Sequence, residues 1–166
     1  MKDSELVKLY EQHVSMVYNY AFYRILDRAQ AEDITSLVFE KVLRNYARFD
    51  SAKSSITTWI MRIARNTLID YYRTHKTYVA LDELGSRELV AEDDDIDIDD
   101  SERDLRRLLA VLSDSDREIV FLKYFEQKRN VEIAALLGMK APTVATRLRR
   151  SLQAMRTDAE RQGITL

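Results

Sequence analysis

The side chains best placed to do chemistry in this sequence are hydrogen-bond donors rather than acids, bases or nucleophiles. Thr143, Thr146, Arg150 and Gln153 recur at three- and four-residue steps near the C-terminus. At ~100° per residue they gather on one side of a helix, with Arg147 and Arg149 on its flanks. Val144, Leu148, Leu152 and Met155 form a narrow apolar stripe on the other side, which reads as the core side. Threonines and an arginine in the early turns of a helix can reach base edges, and further arginines can hold phosphates. A second such face lies earlier in the chain. There Thr58, Arg62, Arg65, Asn66 and Arg73 oppose Ile56, Trp59, Ile60, Ile63, Ala64, Thr67 and Tyr71. Three arginines and an amide on one face can follow a phosphate backbone. Trp59, Tyr71 and Tyr72 could stack on unpaired bases, although helical spacing reads Trp59 first as core. The plain alternative for either face is a basic helix turned to water.

Catalytic chemistry finds little footing. His13 and His75 are the only histidines, 62 positions apart and on different helices. No Ser/His/Asp set, glycine-rich phosphate loop or His-metal spacing is present, and each histidine reads as an ordinary surface or boundary residue. The absence of cysteine removes disulfides, thiolate metal sites and a thiol nucleophile. Asp93, Asp95 and Asp97 resemble part of a calcium loop, but the glycine and closing glutamate are missing at the required steps. The expectation is no catalytic site, no cofactor and no metal.

The elements that must position the two basic faces are helices. Leu6, Tyr10, Val14, Val17, Ala21 and Ile25 predict a first helix from about Ser4 to Leu26. After a short break at Asp27–Gln30, a second helix is expected from near Ala31 to about Ala47, with Glu32 and Asp33 against the positive end of its dipole. The stretch Phe49–Ser55 is a polar loop, and Ser55 is a plausible N-cap for a third helix, Ile56 to about Thr74. Further on, a helix is expected near Glu102–Leu112, and a second follows Ser113, with Asp116 at capping-box spacing. Asn130 is expected to cap Val131–Leu137, Gly138 to close that helix in a left-handed conformation, and Pro142 to open the last one. Helix, glycine-containing turn and helix are the outline of a DNA reader.

Composition agrees. A hydrophobic share of 46% is ample for a buried core, and one Pro and three Gly among 166 residues argue against a sandwich of many short strands. A net charge of −2 conceals segregation: residues 1–76 carry +3, residues 77–104 carry −10, and residues 105–166 carry +5. Whole-chain charge is therefore a poor guide to partners. The expected division is a domain at 1–76, an acidic flexible linker at 77–104, largely disordered alone, and a helix-turn-helix domain at 105–166. No apolar run approaches the ~20 residues of a membrane span, and the charged N-terminus lacks a signal core. A soluble cytoplasmic protein without direct membrane insertion is expected.

Taken together, these residues resemble a bacterial extracytoplasmic-function (ECF) sigma factor of the sigma-70 family. Residues 5–76 resemble sigma region 2, through Ala31-Glu32-Asp33-Ile34, Val38-Phe39, and Thr58 to Asn66 followed by Asp70 and Arg73. Residues 105–156 resemble region 4, through Leu112-Ser113, Arg117-Glu118, Glu132-Ile133-Ala134, Leu137-Gly138, Thr143-Val144 and Thr146 to Arg150. Ser36-Leu37 stands where the family often has Gln-Glu, Pro142 where Gly is common, and Ala145 where Lys is common. The resemblance implies an all-α protein: a three- to four-helix region 2 bundle and a four-helix region 4 helix-turn-helix domain joined by the acidic linker.

It also implies a division of labour. The second helix would dock on core RNA polymerase through Glu32, Asp33, Ser36, Glu40 and Arg44. The loop with Asp50 and Lys53 would hold a base flipped from the −10 element. The third helix would guide the melting strand with Thr58, Arg62, Arg65, Asn66 and Arg73. The last helix would read the −35 element of promoter DNA with Thr143, Thr146, Arg147, Arg149 and Arg150. An anti-sigma factor is a further implied partner, able to hold the protein at the membrane, and no small-molecule substrate is implied. Two other readings stand beside this one: a stand-alone helix-turn-helix regulator that binds duplex DNA by itself, and a helical adaptor with protein partners only. Demand for core polymerase separates the sigma reading from both.

Overall fold

A computed structural model describes residues 3–79 and 100–164. The expected linker at 77–104 and its aspartates therefore fall largely outside the described residues. The chain divides into two compact units, Met1–Glu88 and Leu89–Leu166. All regular structure among the described residues is helical.

The first unit holds α1 (Asp3–Ile25), α2 (Arg28–Asn45), a single 3-10 turn (Tyr46–Arg48) and α3 (Ile56–Val79). Each helix packs against the other two. Val17, Tyr20 and Ala21 from α1, Ala31, Val38 and Val42 from α2, and Ile60, Ala64 and Leu68 from α3 are almost fully buried. Their three- and four-residue spacing is what makes each helix bury one side. Leu68 completes the α3 stripe that the sequence shows through Ile60 and Ala64.

The break between α1 and α2 is shorter than expected, and α2 begins three residues earlier than the expected Ala31. Leu26 takes a left-handed φ of 62°, a conformation costing a non-glycine residue ~1–2 kcal/mol, while its side chain is only 2% exposed. Burying a leucine is worth ~1.5–3 kcal/mol, enough to offset that strain. Asp27 then caps α2, accepting from the Gln30 amide at 2.8 Å. At the other end the helix tightens into the 3-10 turn instead of running to Ala47. Ser55 caps α3 as expected, its hydroxyl accepting from the Thr58 amide at 3.2 Å, and α3 continues beyond Thr74 to Val79.

The second unit holds α4 (Asp100–Ala110), α5 (Asp114–Tyr124), α6 (Asn130–Leu137) and α7 (Ala141–Gln162). Ser113 caps α5, accepting from the Asp116 amide at 3.2 Å. The cap of α6 is Arg129, not Asn130: the Glu132 carboxylate reaches back to accept the Arg129 amide at 2.6 Å, so Asn130 already lies inside the helix. Gly138 closes α6 at φ 65°, ψ 34°. A residue without a Cβ adopts that conformation at no steric cost. Leu108, Leu109, Ile119, Phe121, Ile133, Val144 and Leu148 form the core. On α7 the buried stripe continues through Ser151 and Ala159, whereas Leu152 is 42% exposed and Met155 half-buried. The steps 144, 148, 151, 155 and 159 keep one face at 3.6 residues per turn. Leu152 lies about a quarter-turn away from Ser151, and its apolarity alone does not turn it inward.

Candidate nucleic-acid interfaces

The outward face of α3 is polar because its apolar side is consumed by α1 and α2. Thr58, Arg62, Asn66 and Arg73 of α3 are exposed and Arg65 is half-buried. Thr58 shares a 2.9 Å hydrogen bond with the Ser55 hydroxyl. Arg73 donates to Asp70 at 3.0 Å, and Lys41 of α2 donates to the Thr67 hydroxyl at 3.1 Å while lying 4.0 Å from Asp70. Exposed pairs of this kind are worth under ~1 kcal/mol, so a phosphate can displace the carboxylate at small cost. Lys41, Asn45, Arg48, Trp59, Asn66 and Thr67 line a shallow groove of about 290 Å³ between α2 and α3.

The loop before α3 is held at its base by aromatic packing. Phe49 lies 5.3 Å from Trp59 and 6.2 Å from Tyr46 between ring centroids, and Tyr46 lies 6.4 Å from Trp59. Trp59 is thus half-buried and engaged as an anchor. Asp50 folds the loop on itself, its Oδ1 accepting the Ala52 amide at 3.0 Å and its Oδ2 lying 3.5 Å from Lys53 Nζ. Asx turns of this kind fix a short loop without glycine. Lys53 keeps its side chain in solvent. Tyr71 and Tyr72 are also committed to the fold. Burial, with the Asp27 carboxylate nearby, raises the Tyr71 phenol above its usual pKa, and Tyr72 donates to the Arg24 main-chain oxygen at 3.0 Å.

Along α2, Glu32, Asp33, Ser36, Glu40 and Arg44 all point to solvent. Ser36 bonds back to the Glu32 carbonyl at 3.0 Å, and Arg44 pairs with Glu40 one turn away. Leu37 and Leu43 are also about half exposed on this helix. The face therefore mixes carboxylates with uncovered apolar area.

In the second unit, Thr143, Arg149 and Arg150 of α7 are exposed and Thr146 is half-buried. A groove of about 420 Å³ runs beside α7, lined by Val111, Arg150, Gln153, Ala154, Thr157 and Arg161 among others. Arg147 behaves differently: its guanidinium is bonded to Asp116 and Ser115 of α5. Asp116 is legible in the sequence as a capping-box residue, but nothing local announces a partner 31 residues away.

His13 is 7% exposed, with Nδ1 2.9 Å from the Leu9 carbonyl and Nε2 3.2 Å from the Thr57 hydroxyl. It joins α1 to α3 rather than lying at the surface; the side chain of His75 is outside the described residues. Among the described residues no group of three or more His, Cys, Asp or Glu is placed to hold a metal ion. No described helix is long and apolar enough to cross a membrane.

Comparison with known proteins agrees with this two-part build. The Sigma-70 region 2 family matches residues 9–78, and the Sigma-70 region 4 family matches residues 102–155. RNA polymerase sigma factor YlaC of Bacillus subtilis is 30% identical over 159 residues, covering 86% of this chain and 85% of YlaC. ECF RNA polymerase sigma factor SigK of Mycobacterium tuberculosis H37Rv is 27% identical over 157 residues, covering 90% and 82%. The sigma factor RpoE of Bartonella quintana, solved in complex with the anti-sigma factor NepR, shares the fold at a TM-score of 0.69 and 19% identity, over 93% of both chains. The chain belongs to the sigma-70 family of RNA polymerase sigma factors.

Proposed function

We propose that this sigma factor divides promoter recognition between its two units, the first engaging the −10 element as it melts and the second binding the −35 element as duplex. The observation that carries this is the pairing of one buried apolar stripe with one accessible basic face on α3, and the same on α7. On α3, Thr58, Arg62, Arg65, Asn66 and Arg73 would track the strand backbone, with Asp50 and Lys53 in the preceding loop beside an extruded base. On α7, Thr143, Thr146, Arg149 and Arg150 would meet the major groove. The α2 face with Glu32, Asp33, Ser36, Glu40 and Arg44 would dock on core polymerase, where uncovered Leu37 supplies apolar area among charges.

The sequence carries no glycine-rich nucleotide-binding motif, and the protein would work without a catalytic centre of its own, opening DNA only while polymerase holds both units. It would act in the cytoplasm. RpoE of B. quintana is held by an anti-sigma factor, and a partner of that kind is the means by which this chain would be kept idle or near a membrane. Run-off transcription on a pool of genomic fragments tests the reading. The protein alone should open no fragment, and with core polymerase it should yield specific products. If it binds its selected fragment tightly alone and core adds nothing, the stand-alone regulator is the better account.

A further inference from the structure

We infer that Arg147 is a positioning residue: with Asp116 it sets the roll of α7 about its own axis, so that the specificity of the second unit depends on a pair that touches no base. This rests on the reading of α7 as the duplex-reading helix. All three guanidinium nitrogens are already engaged. Nε donates to Asp116 Oδ1 at 2.7 Å, Nη2 donates to Ser115 Oγ at 2.7 Å, and Nη1 lies 3.9 Å from the sulfur of Met139. Asp116 is equally committed. Its Oδ2 accepts from the Ser113 hydroxyl at 2.7 Å, and its amide donates to Ser113 Oγ at 3.2 Å. Both side chains are 26% exposed, against the open positions of Arg149 and Arg150 on the same helix.

The network therefore links three places: the capped first turn of α5, the turn between α6 and α7 at Met139, and the second turn of α7. The guanidinium's fork onto Asp116 and Ser115 adds directional, charge-assisted bonds to the close packing of Val144 and Leu148 against the core. Side chains reach about 5–6 Å from a helix axis, so a roll of about 20° would carry their tips about 2 Å. Hydrogen bonds to base edges do not survive such a shift. Arg147 also cannot leave for a phosphate without abandoning Asp116 in a half-buried position.

This assignment and phosphate contact by Arg147 predict opposite signs for one substitution. If Arg147 held phosphate, Asp116→Ala would remove a competing anion and strengthen binding. If the pair positions α7, Asp116→Ala weakens discrimination. The test uses holoenzyme reconstituted with core polymerase. Its probes are the promoter fragment recovered in the run-off selection and the same fragment with its upstream duplex element scrambled. Asp116→Ala and Arg147→Ala should each lower the ratio of the two affinities by about tenfold, and the double variant should be no worse than either single one, as for residues acting as a unit. Arg147→Lys should not restore it, since an ammonium cannot form the fork. The salt slope of Arg147→Ala should match the parent, whereas loss of a phosphate contact would lower it by about one. Asp116→Asn keeps the shape and an oxygen for Ser113, and should show the same loss where Asp116→Ala disturbs α5. A ratio that is unchanged or higher in the Asp116 variants overturns the inference and leaves the reading of α7 intact. A parent holoenzyme that does not distinguish the fragments overturns both.

Discussion

The Tyr72 hydroxyl donates to the Arg24 main-chain oxygen at 3.0 Å, and the Arg24 guanidinium carbon lies 5.5 Å from the centroids of both the Tyr72 and Tyr20 rings. The Arg24 guanidinium also donates to the Tyr20 hydroxyl at 2.9 Å, and the residue is 3% exposed. A buried cation is tolerated when aromatic faces and oxygens replace its water. The contact pins the end of α1 to α3. Arg24→Ala should destabilise the first unit by about 2–4 kcal/mol, with Tyr72→Phe costing about 1 kcal/mol for the hydroxyl alone. Trp59 is the only tryptophan, so urea unfolding followed by its fluorescence reads this unit selectively.

The Glu132 carboxylate accepts the Arg129 amide, and that backbone hydrogen bond, followed by the Arg129 side chain 3.4 Å away, lowers its pKa. A carboxyl depressed in the folded state contributes fully above the ordinary carboxylate range, and the contribution is lost as pH falls through the depressed value. The start of α6 should therefore fray on acidification. In amide proton spectra the Arg129 resonance should titrate with Glu132, below an ordinary glutamate. Glu132→Gln should abolish that titration, and persistence of the shift in this variant would rule out the cap as its source.

Charge reversal on the α3 face should separate melting from docking. Arg62→Glu with Arg65→Glu should abolish promoter opening, seen as loss of thymine reactivity to permanganate, while competition for core polymerase stays near the parent. Asp33→Ala with Glu40→Ala on α2 should do the reverse, weakening core binding several-fold. Equal effects of both variants on both assays would mean that the two faces are not functionally distinct.

Arg150 is exposed on α7, one turn from Arg147 and free of its α5 network. If Arg150 reads a guanine, Arg150→Ala should cost ~1–3 kcal/mol at one base position. If it holds a phosphate, affinity should fall about equally on every duplex, with a shallower salt dependence. Binding assayed on a panel of single-base variants of the selected promoter distinguishes the two, and unchanged affinity throughout would place the reading face elsewhere on α7.

Much of the architecture is written within four residues of each point in the chain. Ser55 and Ser113 can be read as caps because a hydroxyl meets an amide three residues later, and Gly138 because only its own φ matters. The basic faces of α3 and α7 follow from helical period alone. Local chemistry misleads where a tertiary term outweighs it. Leu26 accepts a left-handed conformation because the core buries it, which hides the true start of α2. At α6 the competition is itself local: Asn130 has the better capping side chain, yet Arg129 takes the position once Glu132, three residues on, folds back to its amide.

By itself the sequence determined which helices form, which side of each is apolar, and that two basic faces lie on separate units. These depend on intervals of three and four residues, which any helix imposes. Tertiary structure alone decided that His13 meets Thr57, that Arg24 lies between two tyrosines, and that Arg147 faces Asp116. Such contacts join different turns or helices, and their geometry follows from how helices pack against one another. No spacing along a single helix records that.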